Sequence, residues 1–173
     1  MTSLADKLPE RLAHNPLQSM RSDSDLEAIA EALLPEVDGD ERFFKDCGKH
    51  LLLAVLGYLR DWCKVEQRSI GNVNALLKAA LPSVPGRKYT DLDNLFYEIE
   101  SGCKRVISAD GITTDWEVSS LERGDGTRPR DTNGISPTDD FSLGNYKQFS
   151  QASKPTRDVT AASLLDALAK YEG

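Results

Sequence analysis

Residues 41–64 read ERFFKDCGKHLLLAVLGYLRDWCK and form the longest apolar-periodic segment of the chain. Apolar side chains recur there at steps of three and four, which is the spacing of one face of an α-helix. The residues that follow this spacing are Phe44, Cys47, Leu51, Val55, Tyr58 and Trp62. Further apolar residues widen the face until little of the middle is polar, as in a helix contacted from several sides. The segment therefore predicts a central core helix.

The same segment is too short to cross a membrane. Its uninterrupted apolar run extends only from Leu51 to Leu56, whereas a spanning helix needs about 20 apolar residues. Charged residues such as Asp46, Lys49 and Arg60 interrupt it further. We therefore expect the helix to belong to a soluble domain.

Five further helices are predicted around this one, because each apolar stripe begins at a capping residue and stops near proline or glycine. They cover approximately residues 23–34, 69–80, 90–103, 140–153 and 155–171. For the last of them, the predicted inward side chains are Val159, Ala162, Leu165, Leu168 and Ala169. No alternating run of β-branched residues indicates a strand. The prediction is an all-α fold, an irregular bundle of about six helices.

Two stretches lie outside the predicted helices. Residues 1–22 are polar and contain two prolines, so we interpret them as a connector that leads into a single helical domain of residues 23–173. Residues 107–138 contain four glycines and two prolines and predict one long loop; loops of this length are often functional. Within it, TTDWEVSSL fits either a brief strand or a helical turn.

Composition limits the function classes. The net charge of -7 argues against broad non-specific binding to nucleic acid, which depends on Lys and Arg neutralising phosphates. The three cysteines have neither a disulfide pattern nor a metal-ligand spacing. Together with an N-terminus that lacks the apolar region of a signal peptide, they predict a cytoplasmic setting.

The sequence offers little for catalysis. It contains no phosphate-binding loop and no GxGxxG motif, and its only histidines are His14 and His50. The acidic pairs Asp91/Asp93 and Glu98/Glu100 are interpreted as solvated helix faces, because nothing near them in sequence supplies a metal or a raised pKa. We predict no metal, no cofactor and no enzyme activity, and keep a small helical enzyme as the least favoured alternative.

The long loop is the predicted site for a protein partner. Trp116 stands there among acidic residues, and an exposed Trp with a charged rim is typical of a binding hot spot. Alternatively, Trp116 folds back to plug the bundle, and we favour that interpretation. The candidate partner-binding residues are Asp115, Trp116, Glu117, Arg123, Arg128 and Arg130.

A second candidate surface is basic. Lys147, Lys154 and Arg157 cluster around the junction of the last two predicted helices and could contact DNA. The group is small for this role, because surfaces that follow a phosphate backbone usually combine more cations with aromatic platforms.

The order of these segments is similar to that of a known family. HNPLQSMRSDSDLEAIAEALL, DERFFKDCGKHLLLAVLGYL, QRSIGNVNALLKAA and TDLDNLFYEIE, followed by FSLGNYKQFSQAS and DVTAASLLDALAKY, resemble successive segments of the helical domain inserted in type IV coupling proteins. These are the VirD/TraG-type ATPases that hand relaxase-bound DNA to a conjugative secretion channel. The resemblance runs from Asn15 to near the end and has a gap at residues 107–138.

The resemblance implies an all-α recognition domain cut out of a larger ATPase. In the family, this domain lies at the cytoplasmic mouth of a membrane-anchored hexamer and is associated with recognising a relaxase, relaxosome accessory proteins or other secretion substrates, and in some members with contacting DNA. The phosphate loop and the acidic Mg²⁺ site would lie outside this chain, which we expect to be monomeric. One departure is Pro155, where family members commonly continue without proline, so the last helix is expected to start later.

Overall fold

The computed structural model describes residues 4–34, 42–83, 87–107 and 114–171. This part of the chain holds eight α-helices and one two-stranded hairpin, so the prediction of an all-α bundle is confirmed. The elements are α1 (Glu10–Ala13), α2 (Pro16–Ser19), α3 (Asp23–Leu33), α4 (Arg42–Trp62), α5 (Ile70–Ala79), α6 (Asp91–Ser101), β1 (Cys103–Ile107), β2 (Thr114–Val118), α7 (Phe141–Ser150) and α8 (Lys154–Leu168).

Helix α4 is the centre of the fold, as its periodicity predicts. It packs against α3, α5, α7 and α8, most extensively against α7, and every side chain from Leu51 to Leu56 is buried. Gly57 allows the close approach of α7, because a Cβ at this position would lie 3.0 Å from the Cβ of Ser142. None of the described helices is long and apolar enough to cross a membrane.

Side-chain caps fix where the other long helices begin. In each case a hydroxyl or carboxylate accepts a hydrogen bond from a main-chain N–H in the first turn, which would otherwise have no partner. The capping residues are Ser22 of α3, Ser69 of α5, Thr90 of α6, Asp140 of α7 and Ser153 of α8. These positions agree with the predicted helix starts to within a few residues.

Residues 1–22, predicted to be a connector, contribute to the core. Leu12, Leu17 and Met20 are buried with the side chains of α3 and α4. Arg11 forms an ion pair with the buried carboxylate of Asp25. This guanidinium holds the pKa of Asp25 well below its usual range, and the main-chain amides of Arg21 and Ser22 act in the same direction. The domain boundary at residue 22 stays a prediction.

The predicted inward face of the last helix is partly wrong. Val159, Ala162 and Ala169 are exposed, whereas the buried residues of α8 are Thr160, Ala161, Leu164 and Leu168. Thr160 can occupy a buried position because its hydroxyl donates to the carbonyl of Thr156 at 2.7 Å, so this face cannot be found from apolar residues alone. The expected later start is also wrong: α8 begins at Lys154, and Pro155 lies in the first turn, where its missing N–H leaves no hydrogen bond unmade.

The prediction of one long loop at 107–138 is wrong in part, because a hairpin occupies its beginning. β1 pairs antiparallel with β2 from Cys103 opposite Val118 to Ile107 opposite Thr114, so TTDWEVSSL contains a strand. Opposite charges on Lys104 and Glu117 face each other across it, and cross-strand pairs of this kind stabilise a hairpin. The remainder, from Ser119 to Asp139, crosses the surface with one short 3₁₀ turn at Pro129–Asp131.

Candidate functional site

The hairpin is fastened to the end of α6. Gly102 ends that helix in a left-handed conformation with φ of 76°, which favours glycine. The chain returns to the same point, where the N–H of Ser119 donates to the carbonyl of Gly102 at 2.9 Å. The hydroxyl of Ser119 also donates to the buried carboxylate of Glu98 at 2.9 Å. The base of the hairpin is therefore fixed to the bundle.

Arg105 of β1 is held by two aromatic rings. Its guanidinium carbon lies 3.7 Å from the ring centroid of Tyr97 on α6 and 3.8 Å from that of Tyr89. Its Nη1 donates to the Oδ1 of Asn94 at 3.4 Å. Cation–π contacts of this kind are worth about 0.5–1 kcal/mol when exposed and about 2 kcal/mol when desolvated, so the guanidinium is held in place by the bundle.

Trp116 lies opposite Arg105 in the hairpin. Its ring centroid is 5.6 Å from that of Tyr97, yet 57% of the residue remains exposed. The interpretation that Trp116 plugs the bundle is therefore wrong. The physical reason is the direction of the hairpin, which leaves all five residues of β2 exposed.

A groove of about 380 Å³ adjoins the two tyrosines and Arg105. Its lining carries four cationic side chains and two carboxylates, within a chain whose net charge is -7. The cations are Lys88, Arg105, Lys147 and Arg157, and the carboxylates are Asp93 and Glu100. The groove can therefore offer charge to an anionic group and ring surface to an apolar one.

The structure brings the three predicted DNA-contacting residues to one face. Lys147 and Arg157 line this groove, and Lys154 and Arg157 line a smaller cavity beside it. Each is within ion-pair distance of a carboxylate: Lys147 with Glu100 at 2.9 Å, Lys154 with Asp158 at 2.9 Å and Arg157 with Asp93 at 3.9 Å. Part of their charge is therefore already neutralised.

The floor of the groove is a buried tyrosine. The hydroxyl of Tyr146 on α7 donates to the carboxylate of Asp93 on α6, and its ring stacks on that of Phe96 at 4.3 Å. Burial raises the pKa of Tyr146, and the adjacent charge of Asp93 raises it further. Tyr146 therefore stays neutral and acts as a structural element of the groove.

The predicted partner-binding residues fall into two groups. Asp115, Trp116 and Glu117 are exposed on β2. The three arginines have carboxylate partners after the hairpin: Arg123 pairs with Asp125 and Asp140, Arg128 with Glu122 and Arg130 with Asp131. Of the six, only Trp116 has a described side-chain contact with Tyr97 and Arg105.

Sequence reasoning missed Lys88, Tyr89, Tyr97 and Arg105. Tyr97 and Tyr89 lie outside the apolar stripe of the helix predicted at 90–103. A tyrosine outside such a stripe is not needed for the core, and this can indicate a surface site. The adjacent cations Lys104 and Arg105 in CKRVI are a second signal. Neither signal reveals that the four residues meet, because that depends on the turn at Gly102.

A larger cleft of about 800 Å³ lies between α4 and α7. Both of its arginines already pair with carboxylates that line it: Arg60 with Asp23 at 2.7 Å and Asp61 at 2.8 Å, and Arg123 with Asp140 at 3.3 Å. These pairs stabilise the junction of the two helices. In the ranges that the structure describes, no three His, Cys, Asp or Glu side chains are grouped so as to hold a metal ion.

Comparison with protein-family models, with curated proteins and with solved structures finds no match to this chain.

Proposed function

We propose that this chain is the non-catalytic substrate-recognition domain of a conjugative type IV coupling protein. Its partner is a relaxase, a relaxosome accessory protein or another secretion substrate. The single observation that carries the proposal is the exposed indole of Trp116 beside the Arg105–Tyr97 contact. Trp, Tyr and Arg are the residues most enriched in the hot spots of protein interfaces.

The exposure of Trp116 is not needed by the fold. The core is complete without this side chain, which is absent from the buried cluster. Trp116 also stands beside Tyr97 and Arg105, and Trp, Tyr and Arg together on a fixed support have the composition of an interface hot spot. The fixed base at Ser119 also means that little conformational entropy is lost when a partner contacts the hairpin.

The choice of family is supported by the ordered series of segments and by the absence of nucleotide-binding motifs from the chain. In the parent protein, this domain would sit on the cytoplasmic side of a membrane-anchored hexamer. The isolated domain is expected to be monomeric.

The test is binding of purified domain to the cognate relaxase and its accessory proteins, measured by calorimetry. Trp116→Ala should weaken binding at least tenfold, which corresponds to about 1.4 kcal/mol or more. Its free energy of unfolding should stay within about 0.5 kcal/mol of the native value because the side chain is exposed. Val65→Ala, at another exposed apolar residue, is the control and should bind normally. Absence of binding at tens of micromolar by a folded domain would contradict the proposal.

A second candidate, DNA contact, is supported by the convergence of Lys147, Lys154 and Arg157 on one face. Binding of a fluorescent single-stranded oligonucleotide should then fall steeply between 50 and 200 mM salt. Binding that is absent, or that ignores salt, would exclude this candidate.

A further inference from the structure

We propose that the groove lined by Lys88, Tyr89, Tyr97 and Arg105 receives an acidic segment of the substrate protein. The inference rests on the proposed function and specifies the chemistry of the partner. Carboxylates of the segment would pair with Arg105 and Lys88, and its apolar side chains would lie against Tyr89 and Trp116.

The cations of the groove differ in whether they have a carboxylate partner. In the described part of the chain, Arg105 and Lys88 contact aromatic rings and form no ion pair with a carboxylate: the Nζ of Lys88 lies 5.3 Å from the ring centroid of Tyr89. Lys147 and Arg157, in the same groove, do have carboxylate partners. The groove therefore holds two positive charges that are not neutralised within it.

Arg105 has donors to offer a partner. A guanidinium has five N–H donors, and toward the described residues it makes one hydrogen bond, from Nη1 to Asn94. The two tyrosine rings already fix the plane of the group, so a carboxylate can take two parallel hydrogen bonds at little entropic cost. A lysine at this position could not make this bidentate contact.

The carboxylates of the groove favour an acidic protein segment over nucleic acid. Asp93 and Glu100 line the groove. A phosphate backbone, with a charge at every nucleotide, would meet these carboxylates. A peptide can place one or two carboxylates at Arg105 and Lys88 and turn apolar side chains elsewhere. A groove of about 380 Å³ also fits a few side chains and offers no long track.

The test uses fluorescein-labelled twelve-residue peptides of alternating Glu and Leu, with Gln/Leu and Lys/Leu peptides as matched controls. Binding is measured by fluorescence anisotropy at about 50 mM salt, where surface charges are weakly screened. The Glu peptide should bind the domain at least tenfold more tightly than the Gln peptide. Arg105→Ala should weaken this binding at least tenfold, and Arg105→Lys should restore only part of it.

Two further variants keep the test interpretable. Lys88→Glu, at an exposed residue, should also weaken binding of the Glu peptide even if Arg105→Ala proves unstable. Arg21→Ala removes an equal charge from an exposed residue whose described hydrogen bonds are made by its main chain, and should change binding less than twofold.

The outcomes separate the two proposals. If the relaxase or accessory protein binds through Trp116 while the Glu peptide fails to bind, or binds without regard to Arg105, the acidic-segment inference is overturned and the proposed function stands. If the Glu peptide binds through Arg105 and Lys88 but no relaxase or accessory protein binds, the groove chemistry is supported and the proposed function fails. If a dT oligonucleotide displaces the Glu peptide and binds more tightly through Arg105, the inference is overturned in favour of nucleic acid.

Discussion

The indole Nε1 of Trp62 donates a hydrogen bond of 3.1 Å to the buried carboxylate of Asp140, 78 residues further along the chain. The same carboxylate accepts from the main-chain N–H of Leu143 at 2.9 Å and from the guanidinium of Arg123 at 3.3 Å. One side chain thus joins the end of α4, the start of α7 and the segment between the hairpin and α7.

Asp140→Ala should lower the free energy of unfolding by about 3 kcal/mol. It removes a helix cap, worth about 1 kcal/mol, and takes the carboxylate partner from the buried donors of Trp62 and Ser142, at about 1–3 kcal/mol. Urea denaturation measures the change. Asp139→Ala is the matched control, because this neighbouring residue is exposed and should change stability by less than about 0.5 kcal/mol. Equal effects of the two variants would contradict the role of Asp140.

Gly134→Ala should destabilise the protein by about 3 kcal/mol. Gly134 has φ of 105°, and a Cβ there would lie 1.8 Å from the carbonyl oxygen of Glu100, so the loop would have to move away from α6. Gly126→Ala separates the two causes: Gly126 has φ of 89° but nothing within 4 Å of the added Cβ. It should suffer only backbone strain, about 1 kcal/mol. A thermal or urea melt that finds Gly126→Ala the worse variant would refute this packing.

The ion pair between Arg11 and Asp25 predicts a loss of stability in acid. The folded-state pKa of Asp25 is depressed, so its contribution is fully present above the unfolded carboxyl pKa of about 4. It is lost as the pH falls below that value toward the folded pKa. We expect Asp25→Asn to be less stable than the native protein by about 2 kcal/mol at pH 7, with a smaller difference at pH 3.

Urea titrations at several pH values test this expectation. Glu10→Gln, which removes an exposed carboxylate from the same end of the chain, is the control and should follow the native protein at every pH. A difference between Asp25→Asn and the native protein that does not shrink in acid would contradict the assigned ion pair.

Leu12→Ala tests whether residues 1–22 belong to the domain. Leu12 is fully buried in the common core, so its truncation should cost about 2–5 kcal/mol. Gln18→Ala, at an exposed position of α2, should be nearly neutral. If both variants melt like the native protein, this stretch is a connector, as its composition predicts.

Elements with strong local signals could be predicted from the sequence. Helix α4 has a long apolar face at helical spacing. Helix α6 has both a capping box at Thr90 and Asp93 and a clear stripe of apolar residues. For α8 the sequence predicts a helix but only part of its buried face, because that face includes Thr160 and small Ala161. A pattern based on apolar residues prefers Val159, which is 54% exposed.

The hairpin and the groove could not be predicted in the same way. β1 follows α6 after a single glycine, and each strand has only five residues, two of them charged, so neither strand is evident alone. The groove joins Tyr89, Tyr97 and Arg105 with Lys147 and Arg157, which are brought together only by tertiary packing. The acidic residues around Trp116 in the sequence mark it as a candidate binding residue, but its exposure depends on the direction of the hairpin.

The closed base of the hairpin has an evolutionary consequence. Because Ser119 returns the chain to Gly102, the strands between them can lengthen, shorten or change sequence while both ends stay where they are. Insertions between two fixed ends are tolerated far better than changes in the helices. The hairpin is therefore a replaceable module, whose length and sequence can change while the helical scaffold stays the same.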